Sequence, residues 1–303
     1  MFDYSEYLDD SEEIPYRKPR TKPKPERRDI SNPTPEPANP AEDVFNPTFH
    51  ASRHEREWIL KYLGGFYEDQ VITDVLRQVK GGKEANVYCC EAHPVTGAKL
   101  IAAKVYRPRI FRTMKNDSLY KEGRDVLDDE GKAVRGRREK LAMAKKTRFG
   151  HNLTHTAWLS NEFRAMTLLS KLGADIPKPF AQSENAILME YVGEERWPAP
   201  TLIHVTPKAN EARILFDRII GNIELMLANE IIHGDLSAHN ILYWEGEIKI
   251  IDFPQAVNPY INPEAFMLLT RDITRICQYF ARHGVESDPA ALSIEMWARY
   301  IPT

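Results

Sequence analysis

The sequence has few cysteines and no long hydrophobic run. Its three cysteines form no CxxC pair, which disfavours a disulfide framework, a zinc site or a redox centre; they are Cys89, Cys90 and Cys277. The acidic N-terminus lacks the apolar segment of a signal peptide, and no apolar run approaches the roughly twenty residues of a membrane span. We therefore expect a cytoplasmic protein with reduced thiols and no membrane partner.

The chain also lacks a large excess of charge, because 41 Lys and Arg oppose 44 Asp and Glu. The resulting net charge of −3 gives no global attraction to nucleic acid, so any basic surface must be local. Hydrophobic residues make up 42% of the sequence, which is enough for a folded core. The length of 303 residues allows one two-lobed domain or two small domains.

Two segments have a composition that is unusual for a core. Residues 1–50 contain nine of the 21 prolines and a basic patch at 17–28, which predicts a disordered tail. Residues 112–150 are charged, and the part from 132 to 148 has eight Lys and Arg against one Glu, which predicts a flexible basic insertion. Each segment is either a solvated stretch or an arm that contacts RNA, a ribosomal particle or another partner.

The stretch 231–255 joins a polar loop to two short apolar runs. The runs, with a Glu-Gly pair between them, predict a β-hairpin over 241–251. The hairpin ends on Asp252, and the loop carries Asp235 and, five positions later, Asn240. Phosphoryl transfer needs such a trio, in which one carboxylate orients the attacking oxygen while an amide and a second carboxylate hold Mg²⁺.

A glycine-containing loop precedes this stretch by more than a hundred residues. Two adjacent glycines allow backbone N–H groups to approach phosphate oxygens. About twenty residues later Lys104 interrupts an apolar strand, at the spacing at which kinases keep the lysine that holds the α- and β-phosphates of ATP; an edge-strand lysine in water is the alternative. The predicted phosphate loop consists of Lys80, Gly81, Gly82, Lys83, Glu84, Ala85, Asn86 and Val87.

Helical spacing of apolar residues over 156–172 predicts an amphipathic helix that carries Glu162. A lysine buried in a strand needs a partner of opposite charge. We expect Glu162 to be this partner of Lys104, rather than a solvent-facing glutamate, because such an ion pair holds the lysine in place for ATP.

These motifs resemble those of RIO kinases. HGDLSAHN and IDFP are similar to the HRDxxxxN and DFG motifs of protein kinases, but Gly234, Ser237 and Pro254 depart from the ordinary pattern in the way that RIO kinases do. GKEANVY and AAKVYR are similar to the RIO phosphate loop and its lysine strand, although Lys80 or Gly81 replaces the usual hydroxyl residue. Only about fifty residues follow Asp252, with no APE element, whereas ordinary protein kinases need an activation loop and further helices there.

The resemblance covers roughly residues 75–285 and implies an α+β fold. This would be a bilobal protein-kinase-like fold of the compact RIO type, with an antiparallel sheet and a helix in the N-lobe and a mostly helical C-lobe that lacks the activation-loop and APE subdomains. The expected parts are the tail at 1–50, a short helical segment at 52–76, an N-lobe at 75–189 that includes the insertion, and a C-lobe at 190–303.

The resemblance also implies the site. Asp235 would be the catalytic carboxylate, with Asp252 and Lys104 as further catalytic groups and ATP and Mg²⁺ (or Mn²⁺) as cofactors. Asn240 and Asp252 would hold the metal, and Lys104 and Glu162 would serve the phosphates. Adenine would be bound at a hinge that follows a strand at 186–192; its residues are the gatekeeper Met189 and the backbone of Glu190 and Val192. Arg271 and Asp272 would brace the core.

The predicted activity is transfer of the γ-phosphate of ATP to protein Ser or Thr, including autophosphorylation, with an unknown substrate. The insertion of RIO kinases often carries an autophosphorylated residue, for which Ser118 and Thr147 are candidates. A second hypothesis is an ATPase that uses an aspartyl-phosphate at Asp252 during maturation of the small ribosomal subunit. A small-molecule kinase of the aminoglycoside or choline type and a pseudokinase are less favoured, because GKEANVY, the short C-lobe and the retained site residues disagree with them. The sequence predicts no oligomeric state.

Overall fold

The computed structural model describes residues 44–82, 84–107 and 148–301; at 148–158 it describes the helix without its side chains. Met1–Val44 and Phe45–Thr303 form separate units, and the account below concerns the second. The predicted tail therefore lies outside the described residues up to position 43. The same holds for most of the predicted insertion, including Ser118 and Thr147, and for Lys83.

The chain preceding the first helix packs against the N-lobe. Phe45 and Phe49 contact the core cluster that contains Leu63 and Tyr88. The Phe49 N–H donates to the Val75 carbonyl at 3.0 Å. The prediction of a disordered tail as far as residue 50 is thus wrong for its last residues, because two aromatic side chains find a hydrophobic surface there.

Helix α1 spans Arg53–Glu68, and the Ser52 hydroxyl accepts the Glu55 N–H at its start. Gly64 and Gly65 lie inside this helix, although adjacent glycines favour a helix end. The two glycines together cost about 2 kcal/mol, and continuation buries Phe66, which is 5% exposed and whose burial offsets this cost with about 1.5–3 kcal/mol.

Five antiparallel strands form the N-lobe sheet in the order β1-β2-β3-β5-β4. The first strand begins inside the segment predicted to be helical, and β5 ends two residues before the predicted end of its strand. The bounds are Ile72–Gly81 for β1, Ala85–Ala92 for β2, Leu100–Tyr106 for β3, Pro179–Gln182 for β4 and Ala186–Glu190 for β5.

Alternation along the strands gives the sheet two buried faces. One face packs against α1 and contains Tyr88, Cys90, Ala103 and Val105. The other joins the larger core, with Cys89 and Ala102 from the sheet. Lys104, between Ala103 and Val105, therefore points away from α1 and toward the larger core.

Helix α2 spans Arg148–Lys171, so it begins earlier than the predicted residue 156. The C-lobe contains helices α3 (Ala209–Ala228), α4 (Ala265–Ala281) and α5 (Pro289–Tyr300). On α3, Leu215 and Ile219 are buried, whereas the neighbouring Ile214 is 65% exposed. Within the described ranges, no helix has the length and apolar character needed to cross a membrane.

The predicted hairpin is present, with β6 at Ile241–Trp244 and β7 at Glu247–Ile250. Its turn residues Glu245 and Gly246 have φ angles of 51° and 86°. Two successive positive φ angles are the geometry of the tight turns that join twisted antiparallel strands. The hairpin delivers the chain directly to Asp252.

Candidate active site

The predicted ion pair between Lys104 and Glu162 is present. Lys104 Nζ lies 2.8 Å from Glu162 Oε1 and 2.6 Å from Asp252 Oδ1. The lysine side chain is 14% exposed and that of Glu162 only 1% exposed, so the pair is shielded from water. One ammonium group thus joins strand β3, helix α2 and Asp252, which lies two residues beyond the end of β7.

Tyr106 forms a hydrogen bond with the second carboxylate oxygen of Glu162, and this residue was not predicted from the sequence. Its hydroxyl donates to Glu162 Oε2, while Lys104 binds the other oxygen. Burial, reinforced by the negative charge of Glu162, raises the pKa of Tyr106 well above its usual value, so the hydroxyl keeps its proton. The available signal was its position two residues after Lys104 in the same strand, which places both on one face.

Electrostatic attraction keeps both Lys104 and Asp252 charged. Burial by itself would lower the pKa of Lys104, but the negative charges of Asp252 and Glu162 outweigh it and hold this pKa well above its usual value. Burial would likewise raise the pKa of Asp252, but attraction to Lys104 outweighs it and lowers the pKa. A cation and a carboxylate therefore stand side by side at neutral pH.

Asp252 has a left-handed backbone with φ 75°, which is unusual for a residue other than glycine. The preceding Ile251 is held at both polar backbone groups. Its N–H donates to the Asn240 carbonyl at 2.9 Å, and its carbonyl lies 3.1 Å from His233 Nε2. Strained backbone of this kind persists where neighbouring contacts impose it and is frequent at functional sites.

His233, as a neutral imidazole, organises the loop that carries Asp235 and Asn240, which we call the catalytic loop. Burial lowers its pKa, and its Nδ1 accepts the Asp235 N–H at 3.3 Å, which leaves Nε2 to donate to Ile251. Asn240 Nδ2 donates to the Asp235 carbonyl at 2.9 Å. These contacts bring the predicted Asp235, Asn240 and Asp252 onto one connected framework.

Helix α4 holds the catalytic loop at Gly234, which has φ 78°. The Gly234 N–H donates to Asp272 Oδ2 at 2.8 Å, and its carbonyl accepts a hydrogen bond from Arg271 Nη2. The two residues expected to brace the core therefore contact the residue next to Asp235. Burial raises the pKa of Asp272 to about 7.

Asp272→Asn tests this buried carboxyl. Because its folded pKa exceeds that of the unfolded chain, native Asp272 binds more protons between about pH 4 and 7, and its contribution to stability falls as pH rises through that window. We therefore expect the free energy of unfolding of the variant, measured relative to that of the parent, to increase from about pH 4 to 7. Above about pH 8 the difference between the two proteins should be constant. Urea titrations across this pH range measure the difference, and a flat difference would contradict the assignment.

Arg275 is a second residue of this site, after Tyr106, that was not predicted from the sequence. Its Nη1 donates to Asp235 Oδ1 at 2.8 Å. Gly234 stands where ordinary protein kinases carry an arginine, and here a guanidinium from α4 neighbours the carboxylate predicted to be catalytic. The signal for it was weak: Arg275 follows Arg271 by one helical turn and so lies on the same side of α4.

Arg275→Ala is expected to lower kcat about tenfold while leaving the KM for ATP unchanged, because the arginine fixes the carboxylate that is predicted to position the acceptor hydroxyl. Arg275→Lys should recover part of this loss by keeping the charge. Arg282→Ala, at the exposed end of the same helix, serves as the matched control. A parental kcat in Arg275→Ala would show that the ion pair does not position Asp235.

The described part of the phosphate loop joins β1 to β2. A side chain at Gly82 would bring Cβ to 2.8 Å from the Ala85 carbonyl oxygen, so glycine is needed there. Partial burial is the main cause that raises the pKa of Glu84, and repulsion by the negative charge of Asp252 is the second cause. The Glu84 carboxyl therefore lies close enough to the site to interact electrostatically with Asp252. The Asn86 side chain is 3% exposed and bonded within the protein, so any contact with ligand would use its backbone.

The predicted hinge follows β5. Met189 is buried, with 8% exposure, as a residue behind an adenine site would be. The Glu190 N–H donates to the Lys178 carbonyl at 2.8 Å, and the Val192 carbonyl accepts the Ala199 N–H at 3.0 Å. Contacts with adenine would therefore have to use the other two groups, the Glu190 carbonyl and the Val192 N–H.

The site's oxygen donors suit Mg²⁺. In the part of the chain that the structure describes, no group of three or more His, Cys, Asp or Glu residues could hold a metal on its own. Asp252 offers a carboxylate, and Asn240, whose amide nitrogen is engaged by Asp235, offers its carbonyl oxygen. Mg²⁺ is usually held by one or two such groups together with substrate phosphates rather than by a full protein cage.

Four features together define a protein-kinase-like phosphotransfer site. They are the buried Lys104–Glu162 pair, the glycine loop between β1 and β2, the loop that bears Asp235 and Asn240, and Asp252 after the hairpin. The family model described as RIO domain matches residues 91–292. The chain belongs to the RIO family of atypical kinases, and the predicted family and enzyme class are confirmed.

Curated relatives span archaea and eukaryotes. The RIO-type serine/threonine-protein kinase Rio1 of Thermoplasma acidophilum is 29% identical over 195 residues, covering 64% of this chain and 92% of that protein. Rio1 of Methanocaldococcus jannaschii is 32% identical over 219 residues, covering 71% and 66%. Human serine/threonine-protein kinase RIO1 is 28% identical over 223 residues, covering 71% of this chain but only 34% of its own length.

A solved structure gives the same architecture. The Rio2 kinase-ADP/Mg²⁺-phosphoaspartate complex from Chaetomium thermophilum aligns with a TM-score of 0.56 and 23% identity, covering 82% of this chain and 67% of that one. The predicted bilobal α+β kinase-like fold is confirmed by this match. The assigned roles of the individual site residues, and the division between the lobes at residue 190, stay predictions.

Proposed function

We propose that the protein transfers the γ-phosphate of ATP, with Mg²⁺, to the hydroxyl of Ser or Thr in a protein substrate. The observation that carries this proposal is the meeting of Lys104, Glu162 and Asp252 at 2.6–2.8 Å, next to the loop that holds Asp235. The names of the curated relatives, which are serine/threonine-protein kinases, and the ADP/Mg²⁺ in the Rio2 complex support it.

Bound ATP and Mg²⁺ supply the phosphoryl group and a cation that neutralises its charge. Lys104, kept in place by Glu162, would hold phosphate oxygens, and Asn240 and Asp252 would hold the metal. Asp235 is fixed through Arg275 and Asn240 and accepts the proton of the attacking Ser or Thr hydroxyl. The hydroxyl oxygen then bonds to the γ-phosphorus, and the bond from this phosphorus to ADP breaks. An ionised carboxylate is sufficient for this step.

A second output of the same site is ATP hydrolysis through a phosphoaspartate at Asp252. The phosphoaspartate named for the Rio2 complex favours it, as does the closeness of Lys104 to the Asp252 oxygen that would carry the phosphoryl group. In this route Asp252 attacks the γ-phosphorus, ADP leaves, and water then cleaves the acyl phosphate.

One experiment separates the two outputs. The parent, Asp235→Ala and Asp252→Ala proteins are incubated with ATP labelled in its γ-phosphate, and the protein-bound label is tested with acid and hydroxylamine. Acid-stable label that is lost in Asp235→Ala supports Ser/Thr transfer. Hydroxylamine-labile label that is lost in Asp252→Ala supports the ATPase cycle, and absence of both label and ATP turnover in the parent overturns the proposal.

We also propose a cytoplasmic location and contact with RNA or a ribosomal particle through the basic segments 17–28 and 132–148. The buried free thiols of Cys89, Cys90 and Cys277 are compatible with a reducing compartment. Binding to small-subunit RNA that weakens steeply with salt in the parent, and less steeply after charge-neutralising substitutions in these segments, is the expected result.

A further inference from the structure

Helix α1 lies outside the residues that the family model matches, yet hydrogen bonds connect it to the phosphate loop. We propose that Glu55 and Tyr88 are positioning residues for nucleotide binding, acting through Asn86 and Arg107 on the loop. These four residues form a hydrogen-bonded chain that we call the α1 relay. The inference rests on the proposed function, because it assigns the phosphate loop to ATP.

Each contact of the relay has a defined direction. Arg107 Nη2 donates to Asn86 Oδ1 at 2.9 Å, Asn86 Nδ2 donates to the Tyr88 hydroxyl at 3.0 Å, and that hydroxyl donates to Glu55 Oε1 at 2.9 Å. The chain begins at a guanidinium and ends at a carboxylate. Hydrogen bonds aligned between opposite charges polarise one another and are stronger than isolated neutral ones.

Burial fixes the relay in one arrangement. Tyr88 is fully buried and Asn86 is 3% exposed. Burial is the main cause that raises the pKa of Tyr88 well above its usual value, so its hydroxyl remains a donor to Glu55. The Asn86 amide has one partner for its oxygen and one for its nitrogen, which leaves a single orientation.

The relay reaches the loop from the face of the sheet opposite Lys104. Asn86 and Tyr88 alternate with Val87 along β2, and Val87 is the sheet partner of Lys104. Tyr88 packs in the cluster next to α1, so the relay supports the loop from behind rather than from the nucleotide side.

Arg107 holds the loop at two points. Its guanidinium binds the Asn86 side chain, and its backbone N–H donates to the Glu84 carbonyl at 2.9 Å. Its guanidinium also lies 5.8 Å from the Trp58 ring of α1. A loop with adjacent glycines has many accessible conformations, so fixing Glu84 and Asn86 reduces the entropy that is lost when its N–H groups bind phosphate.

Tyr88→Phe and Glu55→Ala break the relay without touching the predicted nucleotide contacts. We expect each to raise the dissociation constant for ADP–Mg²⁺ and the KM for ATP about tenfold, with kcat little changed, since a hydrogen bond to a charged group contributes on this scale. Glu55→Gln keeps an acceptor for Tyr88 and should restore most of the affinity. Glu57→Ala, an exposed glutamate in the same helix, should bind as the parent does.

Calorimetric titration of the folded full chain with ADP–Mg²⁺, at a temperature well below the melting point of each variant, gives the decisive readout. A parent that binds nucleotide while Tyr88→Phe and Glu55→Ala bind it equally well overturns the relay and leaves the proposed function intact. A parent that binds no nucleotide overturns the proposed function itself. Equal weakening in Glu57→Ala would assign the effect to helix stability and would also overturn the relay.

Discussion

Asp235→Ala is expected to lower kcat for phosphotransfer by about 10³-fold, within the range seen when a positioned general base is removed. The carboxylate lies on a loop that is fixed at its backbone by Asn240 and His233, and Arg275 holds one of its oxygens. Because the Lys104–Glu162 pair does not depend on Asp235, the affinity for ADP–Mg²⁺ should stay at the parental value. Single-turnover rates and nucleotide titration measure the two quantities separately.

Asp235→Asn sharpens this test, because the amide has the same shape as the carboxylate but cannot accept the hydroxyl proton. We expect it to lose as much activity as Asp235→Ala. Asp217→Asn makes the same chemical change at an exposed position of α3 and should be neutral. An Asp235→Asn protein with parental kcat would remove Asp235 from the proton transfer.

The sequence was informative where function depends on short contiguous motifs. The hairpin at 241–250 follows from a local rule, and the Lys104–Glu162 ion pair, between residues 58 positions apart, follows from the need to pair a buried charge. Turn residues between two apolar runs give the hairpin. A lysine in an apolar strand requires a buried carboxylate, and a nearby amphipathic helix with a single suitable glutamate supplies it.

Contacts made by helix α4 with the catalytic loop could not be derived in this way. Arg275 binds Asp235, and Asp272 binds Gly234, from about forty residues further along the chain. Which turn of a helix faces a loop depends on how the whole C-lobe packs. Local periodicity identifies the buried side of α4 but not its partner.

Errors at the start of the chain have a related cause. The glycine pair 64–65 is a local signal to end a helix, but burial of Phe66 in the tertiary structure outweighs it. Prolines around Phe45 and Phe49 predicted a tail, yet both rings pack against the N-lobe core. In each case one or two large apolar side chains decided the outcome against the average composition of the segment.

Lys104→Ala is expected to have two large effects, one on nucleotide binding and one on folding. Loss of the ammonium removes the group assigned to the phosphates, so kcat/KM for ATP should fall by more than about 10²-fold. In the free protein it leaves Glu162, which is 1% exposed, without its cation. Breaking one side of a buried ion pair costs about 3–5 kcal/mol of stability. Loss of the ion pair with Asp252 adds less to this stability cost, because the Asp252 side chain is 39% exposed and water screens its charge.

The stability effect should depend on pH in a defined direction. The lowered pKa of Asp252 means that its contribution is present above about pH 4 and is lost as pH falls through the folded value. The raised pKa of Lys104 means that its contribution persists below about pH 10 and is lost as pH rises beyond that. The difference in unfolding free energy between parent and variant should therefore be greatest between these limits and shrink in acid.

Lys99→Ala is the matched control, because Lys99 is exposed just before the same strand. It should match the parent in both denaturant titration and nucleotide binding. A Lys104→Ala protein that is less stable but binds ADP–Mg²⁺ as tightly as the parent would make the lysine a structural cation that only neutralises Glu162 and Asp252. Loss of affinity at a temperature where the variant is fully folded would instead require that Lys104 contacts the phosphates, since the fold no longer explains the deficit.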